Sequence, residues 1–417
     1  MPSHKGPSPS ESNRAKRRLP LKTEVMKRRS RAVSASRWLV LAAAVVCPPA
    51  VRAESPMPGY LKGYESQWKR DPRAANLAWF KNAGFGMFVH FSPASQVGES
   101  GWFSANPTWG ALHWEQNRLK GDVLDKYLLD KFEPILMDPK AQSLIDSFTG
   151  QAFDAEKIAD LAVAAGMKYV TFTSQHVLGR MFMFDTKTSP LSSTKLSPKR
   201  DFVAELAKAC EKRHLGLFLY VMPPYPYPGI RDRVREMLTE LLTKYGPIAG
   251  IWFDGIMGAY CRPDNWNGED VSETYALVRR LQPHCLISFK RGYTGEEDFL
   301  APEWQQTTKE NWKTVNFTLR LKAGEEKYRQ VKGDLWLDKP IEVCTTMLHG
   351  DQWFHIENGR HKTTDEVLEQ YRFARQQQWN LLLNVAPRGD GSIHPEDEKV
   401  LREVGSRLSQ VNKALDK

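Results

Sequence analysis

Nothing in the 417-residue chain approaches the roughly 20 consecutive apolar residues that a membrane-spanning helix requires. The run WLVLAAAVV at 38–46 is about half that length, so no stable membrane anchor is expected. Cysteine is scarce, five in all, and no CxxC or CxxH spacing occurs, which argues against a structural zinc module. No Gly-rich phosphate loop follows any apolar run, so a dinucleotide-binding fold has no support. Metal-dependent hydrolase barrels often carry HxH on one strand, and here the residue two before His90 is Phe88. Neither a metal nor an organic cofactor is expected. Internal repeats are absent, as are Pro- or Ser-rich linkers after residue 58, so the body reads as one domain over 58–417.

Acidic residues are the one charge class in deficit, with a formal net charge of +10. The deficit is local. Residues 1–53 hold twelve Lys or Arg against Glu11 and Glu24, and setting them aside leaves 47 residues of each sign. A body of zero formal charge gives no reason to expect a nucleic-acid partner. Within the basic segment, RRSR at 28–31 precedes the apolar run and then PPAVRA, with Val51 and Ala53 at the small positions before a cleavage point. Residues 1–53 thus read as a signal peptide for a secreted or periplasmic protein, and Met26 would open a leader of ordinary length. Cys47 would leave with it, since AVVC is a poor lipobox. Cys210, Cys261, Cys285 and Cys344 remain, and they read as buried free thiols.

What is present is alternation. Short apolar runs recur at 84–91, 168–176, 215–222, 248–255, 285–290, 341–348 and 381–387, without the period of two that a half-exposed strand shows. Amphipathic helical patterns lie between and after them at 154–166, 200–213, 230–246, 271–281, 363–378 and 395–411. This order predicts an α/β fold, a (β/α)8-like TIM barrel, irregular in its last third. Two stretches, 100–150 and 292–340, read as insertions on the C-terminal face, where barrel active sites sit.

Polar residues end several of these runs: His90, His176, Asp254, and Lys290 with Arg291. Asp254 stands out because in IAGIWFDG a carboxylate follows an unbroken apolar run beside Trp252 and Phe253. Hydrolysis of a glycosidic bond needs a second carboxylate, and Glu303 in DFLAPEW is the candidate.

The string WFKNAGFGMFVHFSP is similar to the opening strand of the family 29 glycoside hydrolases, the α-L-fucosidases, which read close to WFKDAKFGIFIHWG. FDAEKIADLAVAAGMKYVTFTSQH resembles their second unit, RDFVAELAKACEKRHLGLFLY their third and YGPIAGIWFDG their nucleophile strand. QWNLLLNVAPRGDGSIHPED resembles their closing GGNLLLNVGPxxDGxIPPE segment, and the match runs in order from about residue 74 to 411. The resemblance implies that Asp254 is the nucleophile and that Glu303, matched to DFKTAEY, is the acid/base. It also implies that His90, Trp102 and His176 contact sugar, and that Arg291 matches the Arg of NDRW, with Lys290 taking that place if one residue is gapped. Trp252, Trp304 and Trp353 are candidates for apolar sugar faces.

The chain departs from the pattern in three places. Gly101 stands for a sugar-binding Glu in SGWFS, Val177 and Leu178 stand for the His and Asp of KHHDGF, and Phe91 stands for Trp. The β-sandwich that follows the barrel in family members is not expected after residue 417. The resulting expectation is a secreted retaining exo-glycosidase acting on terminal sugars of glycans. The competing reading is a carbohydrate-binding barrel without turnover. Neither the sugar, the linkage nor an oligomeric state is specified.

Overall fold

In the computed structural model, placement is described for residues 56–98, 139–176, 181–222, 230–254, 268–290, 292, 294–304, 317–319, 329–331, 339–350 and 352–415. Residues 1–53, read above as a signal peptide, and Gly101, Trp102, Val177, Leu178, Cys261 and Arg291 lie outside them, as does most of both stretches read as insertions. The strands are β1 (Phe85–Val89), β2 (Tyr169–Gln175), β3 (Gly216–Val221), β4 (Gly250–Phe253), β5 (Leu286–Phe289), β6 (Phe317–Leu319), β7 (Arg329–Val331), β8 (Glu342–Thr346) and β9 (Asn380–Val385). The helices are α1 (Glu65–Trp68), α2 (Pro72–Ala83), α3 (Pro139–Ser147), α4 (Ala155–Ala164), α5 (Phe202–Lys212), α6 (Ile230–Lys244), α7 (Gly268–Leu281), α8 (Thr364–Gln376) and α9 (Pro395–Leu415). Seven strands pair in parallel in the order β5-β4-β3-β2-β1-β9-β8. All seven correspond to the apolar runs of the sequence. Their residues are buried on both faces, which is why no alternation was visible.

What joins the two edges of this sheet left no signal in the sequence. Asp298–Glu303, inside the stretch expected to be a patternless insertion, forms parallel bridges on one side to β5 (Ser288 with Phe299) and on the other to β8 and its approach (Leu300 with Ile341, Glu303 with Cys344). The Asp298 and Ala301 N–H groups donate to the carbonyls of Ile287 and Lys290 at 2.7 and 2.6 Å. The Glu342 and Cys344 N–H groups donate to Leu300 and Pro302 at 2.8 and 3.0 Å. This irregular sixth stave closes the curled sheet into the expected eight-stave barrel. Because it is Pro-interrupted and makes only scattered ladder bonds, it lacks a strand's signature.

Side chains facing inward form one core: Phe88, Tyr169, Phe218, Tyr220, Trp252, Leu286, Phe299, Ala301, Cys344 and Leu382, one or two from each stave. Trp79 and Phe80 on α2 join this cluster, and on the same helix Asn76 donates to the carbonyls of Ala249 and His284 at 2.8 and 2.7 Å. Outward-facing residues such as Met87, Phe172, Leu219, Ile251, Ile287, Val343 and Leu383 form a second core with the apolar faces of the helices. Helix starts follow the sequence signals. Asp154 and Asp201 cap α4 and α5, and Thr363 with Glu366 forms a capping box on α8. Cys210, Cys285 and Cys344 are buried free thiols, as expected. Among the described residues no helix is long and apolar enough to cross a membrane.

Candidate active site

Each stave that ends in a polar residue delivers it to the same rim. Asp254 follows β4 directly and is anchored by its N–H to the Val221 carbonyl at 3.0 Å. The two carboxylate oxygens have different partners. The Tyr220 hydroxyl donates to Oδ2 at 2.8 Å, and the Lys290 ammonium lies 3.3 Å from Oδ1. Lys290 also donates to Glu303 Oε1 at 2.6 Å. Glu303 and Asp254 therefore share one ammonium. Their contacted oxygens lie at most about 5.9 Å apart, the 3.3 and 2.6 Å contacts laid end to end.

Electrostatics follows from this enclosure. Burial alone would depress the Lys290 ammonium, but Asp254 and Glu303 together carry it above the usual lysine range, so it stays charged. Tyr220 is raised by burial and by the Asp254 charge, so it remains a protonated donor. Lys290 adopts a φ of 39°, a left-handed conformation uncommon for a residue with a side chain, at the point where the chain turns out of β5.

The two histidines meet across the rim, with ring centroids 5.6 Å apart. His90 Nδ1 is 2.8 Å from Asn384 Oδ1, and the Asn384 amide nitrogen donates to the Trp353 carbonyl at 2.8 Å. That second bond fixes which end of the amide faces His90, so Nδ1 carries the proton and Nε2 is left as an acceptor. Burial and the neighbouring His176 push His90 well below the usual imidazole range, which keeps it neutral. His176 stacks on Tyr220 at 5.4 Å, and Trp353 and Phe354 lie against His90 at 5.2 and 5.5 Å. The result is an acidic pair balanced by one ammonium, beside a neutral imidazole and an aromatic wall. Such a site can deliver a nucleophilic carboxylate and a second carboxyl group to one bond.

Sequence reasoning identified Asp254, Glu303, His90, His176 and Trp353, and the structure brings these five to one rim. Two tryptophans are corrected. Trp252 is 1% exposed: its ring stacks on Tyr220, and its indole N–H donates to the buried Glu342 at 3.0 Å, so it supports the site from below and offers no open sugar face. Trp304 packs against Phe373 of α8, in the outer core. Lys290, the alternative match to the Arg of NDRW, stands between the two acids, while Arg291 lies outside the described residues. Glu303 stands at the end of a barrel stave and not on a loose insertion. Tyr220, Asn384 and Glu342 were missed. Each is a polar residue inside an apolar run, and inward-facing polarity in a barrel strand was the available signal.

A family model described as α-L-fucosidase matches residues 59–413. The chain belongs to the α-L-fucosidase family. It is 26% identical over 375 residues to tissue α-L-fucosidase of Bos taurus, covering 84% of this chain and 71% of that protein. It is 31% identical over 422 residues to the tissue α-L-fucosidase of Macaca fascicularis, covering 93% and 78%. Among solved structures, α-L-fucosidase isoenzyme 1 from Paenibacillus thiaminolyticus superposes with a TM-score of 0.60 at 23% identity, covering 82% of this chain and 77% of that one. α-L-Fucosidase AlfC from Lactobacillus casei, in complex with its α-L-fucose product, gives 0.58 at 22% identity, covering 81% and 99%. The fold is thus that of the fucosidase catalytic barrels, and the chain is a glycoside hydrolase of this family.

Proposed function

We propose that this family member is an exported, retaining exo-glycosidase that releases terminal α-L-fucose from glycans, with residues 1–53 removed as a signal peptide and 58–417 acting as the catalytic domain. Asp254 attacks the anomeric carbon while Glu303 gives its proton to the departing glycosidic oxygen, so the C1–O bond breaks as the ester to Asp254 forms. Glu303, now ionised, then takes a proton from water. The water oxygen bonds to C1 and Asp254 leaves as a carboxylate.

The observation that carries this reading is the shared ammonium. A spacing of at most about 5.9 Å between the contacted oxygens is close to the roughly 5–5.5 Å of retaining enzymes and short of the roughly 6.5–9.5 Å that inversion needs for its water. Lys290 also suits both half-reactions. With Glu303 protonated, the ammonium faces ionised Asp254. In the ester intermediate it faces ionised Glu303. One positive charge thus balances whichever acid is charged. His176, Trp353 and the neutral His90 would hold the sugar, as would Trp102 and Arg291 from outside the described residues.

A panel of aryl glycosides in both anomers tests the reading. The expected result is release from 4-nitrophenyl α-L-fucopyranoside, loss of turnover in Asp254→Gly, and partial recovery with azide, a small anion able to attack from the vacated space. Glu303→Ala should spare the first step on acidic phenols and cost natural glycosides about 10²- to 10⁴-fold. A parent that binds glycan but hydrolyses nothing across the panel would replace this reading with the binding-only one.

A further inference from the structure

Two loops on the barrel rim, one between β8 and α8 and one between β9 and α9, bring together side chains that the proposed chemistry does not use. His361 closes the first loop. His394 ends the second, and Glu396 lies in the first turn of α9. Donor atoms of these three residues all lie within 4.8 Å of one another. The imidazole rings face each other at 4.1 Å.

A fourth residue gives the cluster its direction. His361 Nδ1 is 2.6 Å from Asp397 Oδ1, and the two side chains are 6% and 2% exposed. A buried carboxylate that takes the Nδ1 proton fixes the tautomer and presents the Nε2 lone pair, which is how ligating histidines are held from behind. His394 Nδ1 accepts the Glu396 backbone N–H at 3.3 Å and so carries the ring's lone pair; in turning to an ion this ring gives up that long bond and offers Nδ1 itself. Two imidazoles and one carboxylate are a donor set for zinc and its transition-metal neighbours, where calcium or magnesium would want oxygen ligands throughout.

We propose that His361, His394 and Glu396 bind one divalent transition-metal ion, with zinc as the best match, and that the ion clips the loop after β8 to the start of α9. Donors around a tetrahedral ion with bonds of about 2.0–2.1 Å lie roughly 3.4 Å apart, so binding draws the three groups inward. The exposed Glu396 and a turn of the stacked His394 ring supply that movement. Three protein ligands leave a fourth position for water. The clipped loop is the one that carries Trp353 and Phe354 against His90, so the ion would steady the aromatic wall without touching the reacting atoms. His394 stands where the closing family motif quoted above has Pro.

The test uses the full chain, stripped with chelator and titrated with zinc alone. The expected result is one zinc bound per chain and a melting midpoint that rises by a few degrees at zinc about 100-fold above its Kd. His394→Ala and Glu396→Ala, both at partly or fully exposed side chains, should each weaken binding at least about tenfold and remove the shift in midpoint. His214→Ala, on a distant exposed turn, should bind as the parent does. Cobalt(II) should give visible bands of a low-coordinate site in the parent and lose them in His394→Ala. Absence of stoichiometric zinc, equal binding by the His394 and Glu396 variants and the parent, or loss of binding in His214→Ala would each overturn the proposal. None of these readouts depends on fucosidase activity.

Discussion

Glu342 is fully buried inside the barrel, where it accepts the Tyr169 hydroxyl at 2.6 Å and the Trp252 indole N–H at 3.0 Å. Burial pushes its carboxyl up to about 7 from an ordinary 4.5, against the lowering effect of those two donors. The sign of the linkage follows. Between about pH 4.5 and 7 the native chain keeps a proton that the unfolded chain has released, so this group's contribution to stability falls as pH rises through that window. A shift of this size on a fully buried group corresponds to about 3 kcal/mol between pH 4.5 and 8. Glu342→Gln removes the titration. It also leaves a single acceptor oxygen for two buried donors, a roughly constant cost of about 1–3 kcal/mol. Urea unfolding of parent and variant at pH 5, 6, 7 and 8 separates the two effects. Most other titrations cancel in the difference between the curves, whose offset reports the orphaned donor and whose change with pH reports the ionisation. The parent should lose about 2–3 kcal/mol relative to the variant from pH 5 to 8. Parallel curves would refute the reasoning and mean that Glu342 does not titrate in this range.

Other expectations rest on single contacts. Tyr220→Phe removes the hydroxyl that holds Asp254 Oδ2 and should lower kcat/KM about 10- to 100-fold with unchanged circular dichroism, a hydrogen bond to a charged group being worth about 1.5–3 kcal/mol. Lys290→Met leaves two neighbouring carboxylates without their common cation, and a loss of about 10²- to 10³-fold in kcat, partly restored by Lys290→Arg, is expected from steady-state kinetics. Gly405→Ala lies within helix α9, where alanine ordinarily stabilises by about 1 kcal/mol. Here its Cβ would fall inside contact distance of the Ala164 carbonyl oxygen, so denaturation should show destabilisation of about 1–3 kcal/mol instead. N-terminal sequencing of exported protein should begin near Glu54, and a mature species that keeps Trp38–Val46 would overturn the leader assignment.

Where one local rule decided a residue's place, the sequence was legible. Runs buried on both faces gave the seven strands of the parallel sheet, though not the β6–β7 pair, and carboxylate or imidazole groups at their ends gave Asp254, His90 and His176. The sixth stave was not legible, because Asp298–Glu303 contains Pro302 and is held by three isolated bridges to neighbours on either side. Without that stave the position of Glu303 at the rim could come only from a motif match. Trp252 was misjudged because a tryptophan beside a candidate nucleophile looks the same in sequence whether it faces sugar or fills the barrel. Its hydrogen bond to Glu342, far away in the chain, decides the matter. Whether Lys290 or Arg291 matches the Arg of NDRW was undecidable from spacing, since one residue of phase at a strand end exchanges the inward side chain, and Arg291 lies outside the described residues. The His361–His394 cluster was invisible for a similar reason: its members belong to two loops that only the closed barrel brings together.

The central claim is that Asp254 and Glu303, tied to one lysine, work as nucleophile and acid/base in a double displacement. Proton NMR of the first sugar released from 4-nitrophenyl α-L-fucopyranoside, recorded before mutarotation, reads this directly. The expected first product is α-L-fucose, from two successive inversions at C1. Initial appearance of β-L-fucose would contradict the account, because a single displacement by water needs the wider separation that these carboxylates do not have.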